Sequence, residues 1–229
     1  MSKPITTISF FTVAGIKDGF WAFSQVPQAN RILENTPGLT FMKSMGSGSG
    51  KGFSVFPSFK NYCWVMAWED ETLARNFIEN NDYLAEYSHR SQSVSHLFLE
   101  NIASHGEWSK QNPFTSVTEH DEDANIVVLT RARIKLGKLF TFWTKVGKTA
   151  GKLYQFPALK FSTGVGERPL IDQATISIWE NKAQMMHYAY KDETHKNVIQ
   201  LTRKYEWYSE ELFARFVLKD SINLEGLVR

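Results

Sequence analysis

The chain has 229 residues, room for one large domain or two of about 115 residues each, and either can bury a core. Its 26 basic and 24 acidic residues leave a net charge of +2 and are mixed without a block of five like charges, which gives nucleic-acid binding no support. A single cysteine, Cys63, inside the apolar run NYCWVMAW excludes an intramolecular disulfide and reads as a small buried hydrophobe in a reducing cytoplasm.

Aromatic residues are in surplus, with seven Trp and seventeen Phe, which suits a well-filled core or an apolar pocket. The opening MSKPITTISFFTVAG lacks the pattern of a secretory leader. No stretch reaches the roughly 18 apolar residues that span a bilayer. The expectation is a soluble protein, at most peripheral to a membrane.

In chain order, ITTISFFTV (Ile5 to Val13) mixes Thr with apolar residues as a strand does. Gly19 to Asn35 follows as a helix, with Trp21, Phe23, Val26, Ala29, Ile32 and Leu33 near helical spacing, and TPG at Thr36 to Gly38 stops it. A second strand, LTFMKSM, leads into the Gly/Ser loop GSGSGKG, and a third, YCWVMAW, ends at Trp68. EDET then suits a helix N-terminus, continued by Leu73, Phe77, Ile78 and Leu84, and HLFLENI closes the half as a strand. The order β-α-β-β-α-β is the ferredoxin-like unit.

The second half repeats this grammar. Strand NIVVLTRARI (Asn125 to Ile134) precedes a helix from about Lys138 to Ala150, strands ALKFSTGVG and DQATISIW, a helix from about Lys182 to Tyr205, and strand LFARFVL. AWEDET matches SIWENKAQ, which sets Trp68 against Trp179 at an offset of 111 positions (179 − 68), and SMGSGSG matches STGVGE. Residues 1–105 and 124–229 are therefore expected to be two ferredoxin-like repeats, joined by the polar linker 106–123. Each unit has a sheet face that needs cover, so the two should pack sheet to sheet. The expected class is α+β, tandem ferredoxin-like repeats forming a dimeric-α+β-barrel-type fold within one chain.

Of the six histidines, His89, His96, His105 and His120 read as surface or structural residues. No pair has the spacing H-E-x-x-H or a Cys partner, so zinc is not expected. In the helix from Lys182, the residues Ala183, Met186, His187, Tyr190, Thr194, Val198 and Leu201 form one stripe at about 100° per residue. That stripe is the expected core face and puts His187 under the sheet. His195 falls on the flank with Tyr188, Lys191, Ile199 and Thr202, a position that helical geometry leaves open between solvent and the mouth of a pocket. The 111-residue offset carries His195 back to Leu84, so this histidine has no counterpart in the first half.

Three stretches, WAFSQVPQANRILENTPGLTFMKSMGSGSGKGF, RARIKLGKLFTFWTKV and FSTGVGERPLIDQATISIWENKAQMMHYAYKDETHKNVIQLTRKYEWYSEELFARF, together resemble the spheroidene monooxygenase family of carotenoid 2-ketolases. The resemblance runs in order from about Trp21 to Phe216, and GSGSGKGF, SIWE and WYSEELFARF are its most specific pieces. It implies an oxygen-dependent enzyme that places a keto group at carbon 2 of an acyclic carotenoid, with haem as the cofactor. HKNV is also similar to the segment that carries the proximal histidine in small haem-degrading monooxygenases of the dimeric α+β barrel superfamily, which implies His195 as iron ligand and catalytic centre.

Hydroxylating an unactivated C–H bond needs an activated oxygen species that no side chain makes, so a metal or flavin must supply it. GSGSGKG lacks G-x-G-x-x-G between a strand and a helix and reads as a hairpin loop, which disfavours flavin and nicotinamide. With haem, His195 would give a ring nitrogen to iron, and Asp192, one turn earlier, is a candidate to hold its other N–H. Arg131 and Arg133, alternating on one strand face, with Lys160 and Lys191, are candidates for propionate contacts. Trp143, Phe140, Phe161, Met185 and Tyr188 are candidates for an apolar distal wall.

Two successive hydroxylations at one carbon give a gem-diol, which loses water to a ketone. The implied partners are an apolar small-molecule substrate, O2 and an external, ferredoxin-like electron donor, and both a monomer and a homodimer fit. Two other readings stay open. One is a haem-degrading or haem-carrying protein; the other is a cofactor-free α+β barrel protein in which His195 is a surface residue.

Overall fold

The computed structural model describes residues 3–49, 54, 56–117, 120–146, 153, 156–191, 200–202 and 204–228. Its first half runs β1 (Ile5–Val13), α1 (Ile16–Leu33), β2 (Leu39–Gly48), β3 (Pro57–Trp68), α2 (Glu71–Asn80), α3 (Asp82–His89) and β4 (Ser91–Gly106). The second runs β5 (Ile126–Ile134), α4 (Leu139–Val146), β6 (Leu159–Gly166), β7 (Asp172–Trp179), α5 (Lys182–Lys191) and β8 (Tyr208–Ile222), with 3-10 turns at Leu136–Lys138 and Leu224–Gly226. The strands close into one antiparallel barrel in the order β1-β3-β2-β6-β7-β5-β8-β4. The fold is α+β, two ferredoxin-like repeats that make a dimeric-α+β-barrel-type fold inside one chain.

Strand register bears out the repeat. Ile5 and Leu39 both stand opposite Trp68, and Ile126 and Leu159 both stand opposite Trp179. The SMGSGSG and STGVGE match is two residues out of step, because Leu39 and Phe41 stand opposite Trp68 and Ala67 as Leu159 and Phe161 stand opposite Trp179 and Ile178, which makes Gly46 equivalent to Gly166 rather than to Gly164. Small residues recurring every second position make the two alignments look alike in sequence.

Inward-facing residues of both halves share a single core. Ile8, Phe10, Val65 and Leu97 meet Val127, Leu129, Ile176 and Phe216, so side chains fill the barrel. The connection between the halves adds to this core. Trp108, in the stretch expected to be a polar linker, is fully buried there, and Phe114 packs beside it.

Outside the barrel, α1, α2 and α3 cover the first-half sheet with Phe11, Trp64, Trp68, Phe77, Leu84 and Tyr87. The single helix expected over this stretch is two. Asn81 leaves the helical region (φ −84°, ψ 120°) and its side chain accepts the Leu84 N–H, so it ends α2 and caps α3. α1 begins at Ile16, and the buried Gly19 lets it lie against the Phe59 carbonyl, where a Cβ would collide. No helix among the described residues is long and apolar enough to cross a membrane.

Candidate functional site

On the outer face of the second-half sheet, α5 turns Met185, Tyr188 and Ala189 toward the strands. Tyr188 lies 5.0 Å from the Trp179 ring and 4.8 Å from Phe156, centroid to centroid. This corrects the expected stripe, because Ala183, His187 and Tyr190 are exposed. His187 is therefore not packed under the sheet. Residues 185, 188 and 189 satisfy helical spacing as well as 183, 186, 187 and 190 do, and the aromatic stack on Trp179 decides between them. The flank that groups Tyr188 with His195 is thus the sheet-facing one over the described part of α5. His195 and Asp192 lie outside the described residues, and Lys191 ends α5.

A second cluster adjoins on the same side of the barrel, where Phe142 and Trp207 are buried with Trp143, Leu201, Tyr205 and Tyr208 around them. Trp143 donates its indole N–H to the Leu170 carbonyl at 3.1 Å, and Tyr205 stacks on Trp207 at 5.6 Å. Phe140, on the same helix, points away and is 82% exposed, so it is no part of a pocket wall.

β8 contributes a cation to this outer face. Leu212, Ala214 and Phe216 face the core, so strand alternation sends Phe213, Arg215 and Val217 outward, beneath the helices. The register neighbours of Arg215 are Val128 and Ala103, neither of which can pair with it. Its Nε is buried with no hydrogen-bond partner among the described residues, and its guanidinium lies 5.7 Å from the Phe213 ring centroid. Burial lowers the Arg215 pKa, offset in part by the nearby Tyr190. Leaving such a donor unmatched costs about 1–3 kcal/mol, which an anionic partner would recover. Sequence reasoning passed over Arg215, although a lone Arg inside the apolar alternation LFARFVL is a readable sign.

Arg131, Arg133 and Phe161 fall on the other side of the sheet. Phe161 meets Phe10 inside the barrel at 5.3 Å, and the two arginines share the inward face of β5 with Val127 and Leu129. Arg131 bonds Asp172 at 2.8 Å and also Glu210, while Arg133 bonds Asp172 at 2.9 Å and Arg168 joins the same carboxylate. Glu167 adds Lys43 at 3.1 Å and the Trp108 indole N–H at 2.7 Å. Burial would raise the Asp172 pKa, but bonds from Arg168 and Arg133 and the charge of Arg131 outweigh it and hold the carboxyl low. These two arginines close a barrel end and are separated by the sheet from Met185 and Tyr188. Lys160 is held by Asn125 at 2.8 Å.

Among the described residues the first-half helix layer is one continuous aromatic core. A buried pair lies at its edge, where the Ser9 hydroxyl and His96 Nδ1 share a hydrogen bond of 2.7 Å. Among the described residues no group of three or more His, Cys, Asp and Glu side chains is placed to hold a metal ion. The second-half layer, with a half-buried arginine whose Nε has no hydrogen-bond partner among the described residues beneath apolar and aromatic side chains, suits a ligand that is mostly apolar and carries a carboxylate.

No protein-family model matches the chain. The spheroidene monooxygenase of Rhodobacter capsulatus is 34% identical over 217 residues, which is 94% of this chain and 90% of that protein. The chain belongs to the spheroidene monooxygenase family. A second spheroidene monooxygenase, from Cereibacter sphaeroides, is 27% identical over 217 residues, covering 94% of this chain and 67% of that one. Among solved structures, aldoxime dehydratase shares the fold of this spheroidene monooxygenase family member with a TM-score of 0.64 at 10% identity, over 96% of this chain and 84% of that one.

Proposed function

We propose that this protein is a haem-dependent monooxygenase that oxidises an apolar, carotenoid-like polyene with O2 to a ketone, and that His195 is the iron ligand. The family relation, 34% identity across 94% of the chain, carries the activity. Arg215 supports the cofactor, because a half-buried arginine on the outer face of β8, with no hydrogen-bond partner for its Nε among the described residues, suits a haem propionate. The sequence expectation of one helix from about Lys182 to Tyr205 would put His195, seven positions beyond Tyr188, on the same helical face as Tyr188.

Haem, when bound, supplies oxygen activation that no side chain can provide. The chain's own part is to bind and orient. His195 would give its ring nitrogen to the iron, Arg215 would take a propionate, and Met185 and Tyr188 would line an apolar site that keeps water out. Each of two hydroxylations at one carbon consumes one O2, two electrons and two protons. An external donor supplies the electrons, and the resulting gem-diol loses water to give the ketone.

The test is a visible spectrum of the purified protein, as isolated and with one equivalent of hemin, for wild type and His195→Ala. A Soret band in wild type that is lost or shifted in the variant, with unchanged far-ultraviolet circular dichroism, is the expected result. A full Soret band in His195→Ala would remove His195 as ligand, and no band in wild type would remove haem. With reductant, O2 and a polyene, the expected product is a ketone with the haem spectrum preserved. Bleaching of the haem without substrate oxidation would mark a haem-degrading protein instead.

A further inference from the structure

From Ala124 to Gly166 the sequence contains eight Lys or Arg and no Asp or Glu, whereas the rest of the chain has 18 basic (26 − 8) and 24 acidic residues. Arg131 and Arg133 of this stretch point into the barrel and are matched by carboxylates. Three lysines that follow have no carboxylate partner among the described residues. Lys135 and Lys145 are exposed, Lys138 is half-buried, and none of the three forms an ion pair among the described residues. Between them stand Leu136, 71% exposed, and Phe140, 82% exposed, on the turn and helix that leave β5. Phe140 touches no other ring among the described residues. The inward side of α4 is already filled, with Phe142 buried and Trp143 packed beside it, so Phe140 is not a core residue displaced from its place.

The first half carries the same pair at an offset of 120 positions (136 − 16 and 140 − 20), where Ile16 and Phe20 open α1. There the patch is partly covered and its charge is mixed. Phe20 lies 5.0 Å from Phe59, Phe59 also meets Phe23 at 5.2 Å, and Asp18 pairs with Arg90 at 3.1 Å. Only the second-half version is both bare and cationic. One carboxylate, Glu206, is exposed on the facing turn, where the Trp207 carbonyl accepts the Lys135 N–H.

Bare apolar tips bordered by lysines that no carboxylate neutralises, Lys145 lying over the Tyr205 ring at 5.3 Å, match the boundary of a bilayer, where acyl chains meet anionic headgroups. We propose that this rim is a membrane-docking surface that inserts Leu136 and Phe140 into an anionic lipid leaflet while Lys135, Lys138 and Lys145 lie at the phosphates. An acidic protein would account for the lysines but not for two exposed apolar side chains at their centre. A second copy of the chain would account for the apolar pair but would bring lysine against lysine. The proposal stands on exposure and charge, independently of any cofactor. It would set the second-half helix layer, which shares α4 with the rim, beside the phase in which an apolar polyene dissolves.

The experiment is vesicle flotation of the full chain, with phosphatidylcholine alone and with phosphatidylglycerol added. Wild type is expected to float with the anionic vesicles, less so in high salt, and to stay behind with neutral ones. Leu136→Ser with Phe140→Ser should lower partition at least about tenfold, and each of Lys135→Gln, Lys138→Gln and Lys145→Gln about fivefold. Ile16→Ser with Phe20→Ser should leave partition unchanged. Absence of wild-type flotation, or flotation that neither the apolar nor the lysine variants reduce, would overturn the proposal. So would a dimer in light scattering that Phe140→Ser dissolves while vesicles bind nothing, because the rim would then be an interface between copies.

Discussion

His96 gives the fold a pH dependence whose size follows from its surroundings. The ring is 6% exposed, sits edge-on to Phe11 and shares its Nδ1 hydrogen bond with Ser9, so burial pushes its pKa down to about 4 from an ordinary 6.5. Between those two values the unfolded chain takes up a proton that the folded chain refuses. Stability is therefore full above pH 6.5 and falls as the pH drops. Each pKa unit is worth about 1.4 kcal/mol, so descending from pH 6.5 to 4.5 should remove about 2–3 kcal/mol. Asp172 and Glu210, whose folded pKa values are held low, add their own loss only as the pH falls through the carboxylate range. The assay is urea unfolding followed by tryptophan fluorescence at steps from pH 7.5 to 4.5, for wild type and His96→Gln. The variant should start less stable and lose about 2–3 kcal/mol less over the same window. Equal slopes in the two proteins, or a flat wild-type profile above pH 4.5, would refute the reasoning.

Arg131→Met leaves Asp172 and Glu210 without their central cation inside the barrel end and should cost about 3–5 kcal/mol in a denaturant titration. A loss under about 1 kcal/mol would mean that Arg133 and Arg168 suffice. Gly106→Ala, at φ +85° and against the Glu211 carbonyl, should cost about 1–3 kcal/mol, and an unchanged midpoint would refute it. Arg215→Gln should weaken hemin binding about tenfold in a Soret titration and leave binding of hemin dimethyl ester as it was. Equal losses for both ligands would mean that the side chain acts through packing.

Where a strand's own residues settle its limits, the sequence read true. β1 and β7 run over the residues expected from their composition, and the Trp68 and Trp179 equivalence survives in the register. Where two solutions satisfy the same period, the sequence was silent. α5 could turn His187 and Tyr190 or Tyr188 and Ala189 inward, and only the ring contact of Tyr188 with Trp179, a tertiary contact, chooses. The Gly/Ser run around Gly46 had the same ambiguity at period two. The alternation of Arg131 and Arg133 was plain, but their partners lie 41 and 79 positions from Arg131, so their commitment to carboxylates could not be seen locally. Arg215 is a single cation in an apolar strand, marked by neither a histidine pattern nor a cluster of charge.

The barrel's two joints between halves differ sharply. β4 and β8 run together from His96 to Gly106, whereas β2 and β6 meet at two residue pairs, Gly46 with Gly166 and Ser47 with Val165. In a ring made by two identical chains each joint would pair a strand with its own copy across the two-fold axis, so symmetry leaves these two joints free to differ. The short joint is braced by side chains, since Glu167 of the second half reaches Lys43 and the Trp108 indole across it. The ring thus behaves as a strap with a stitched seam on one side and a buckle on the other. Amide exchange should release the buckle first, and Glu167 is its pin.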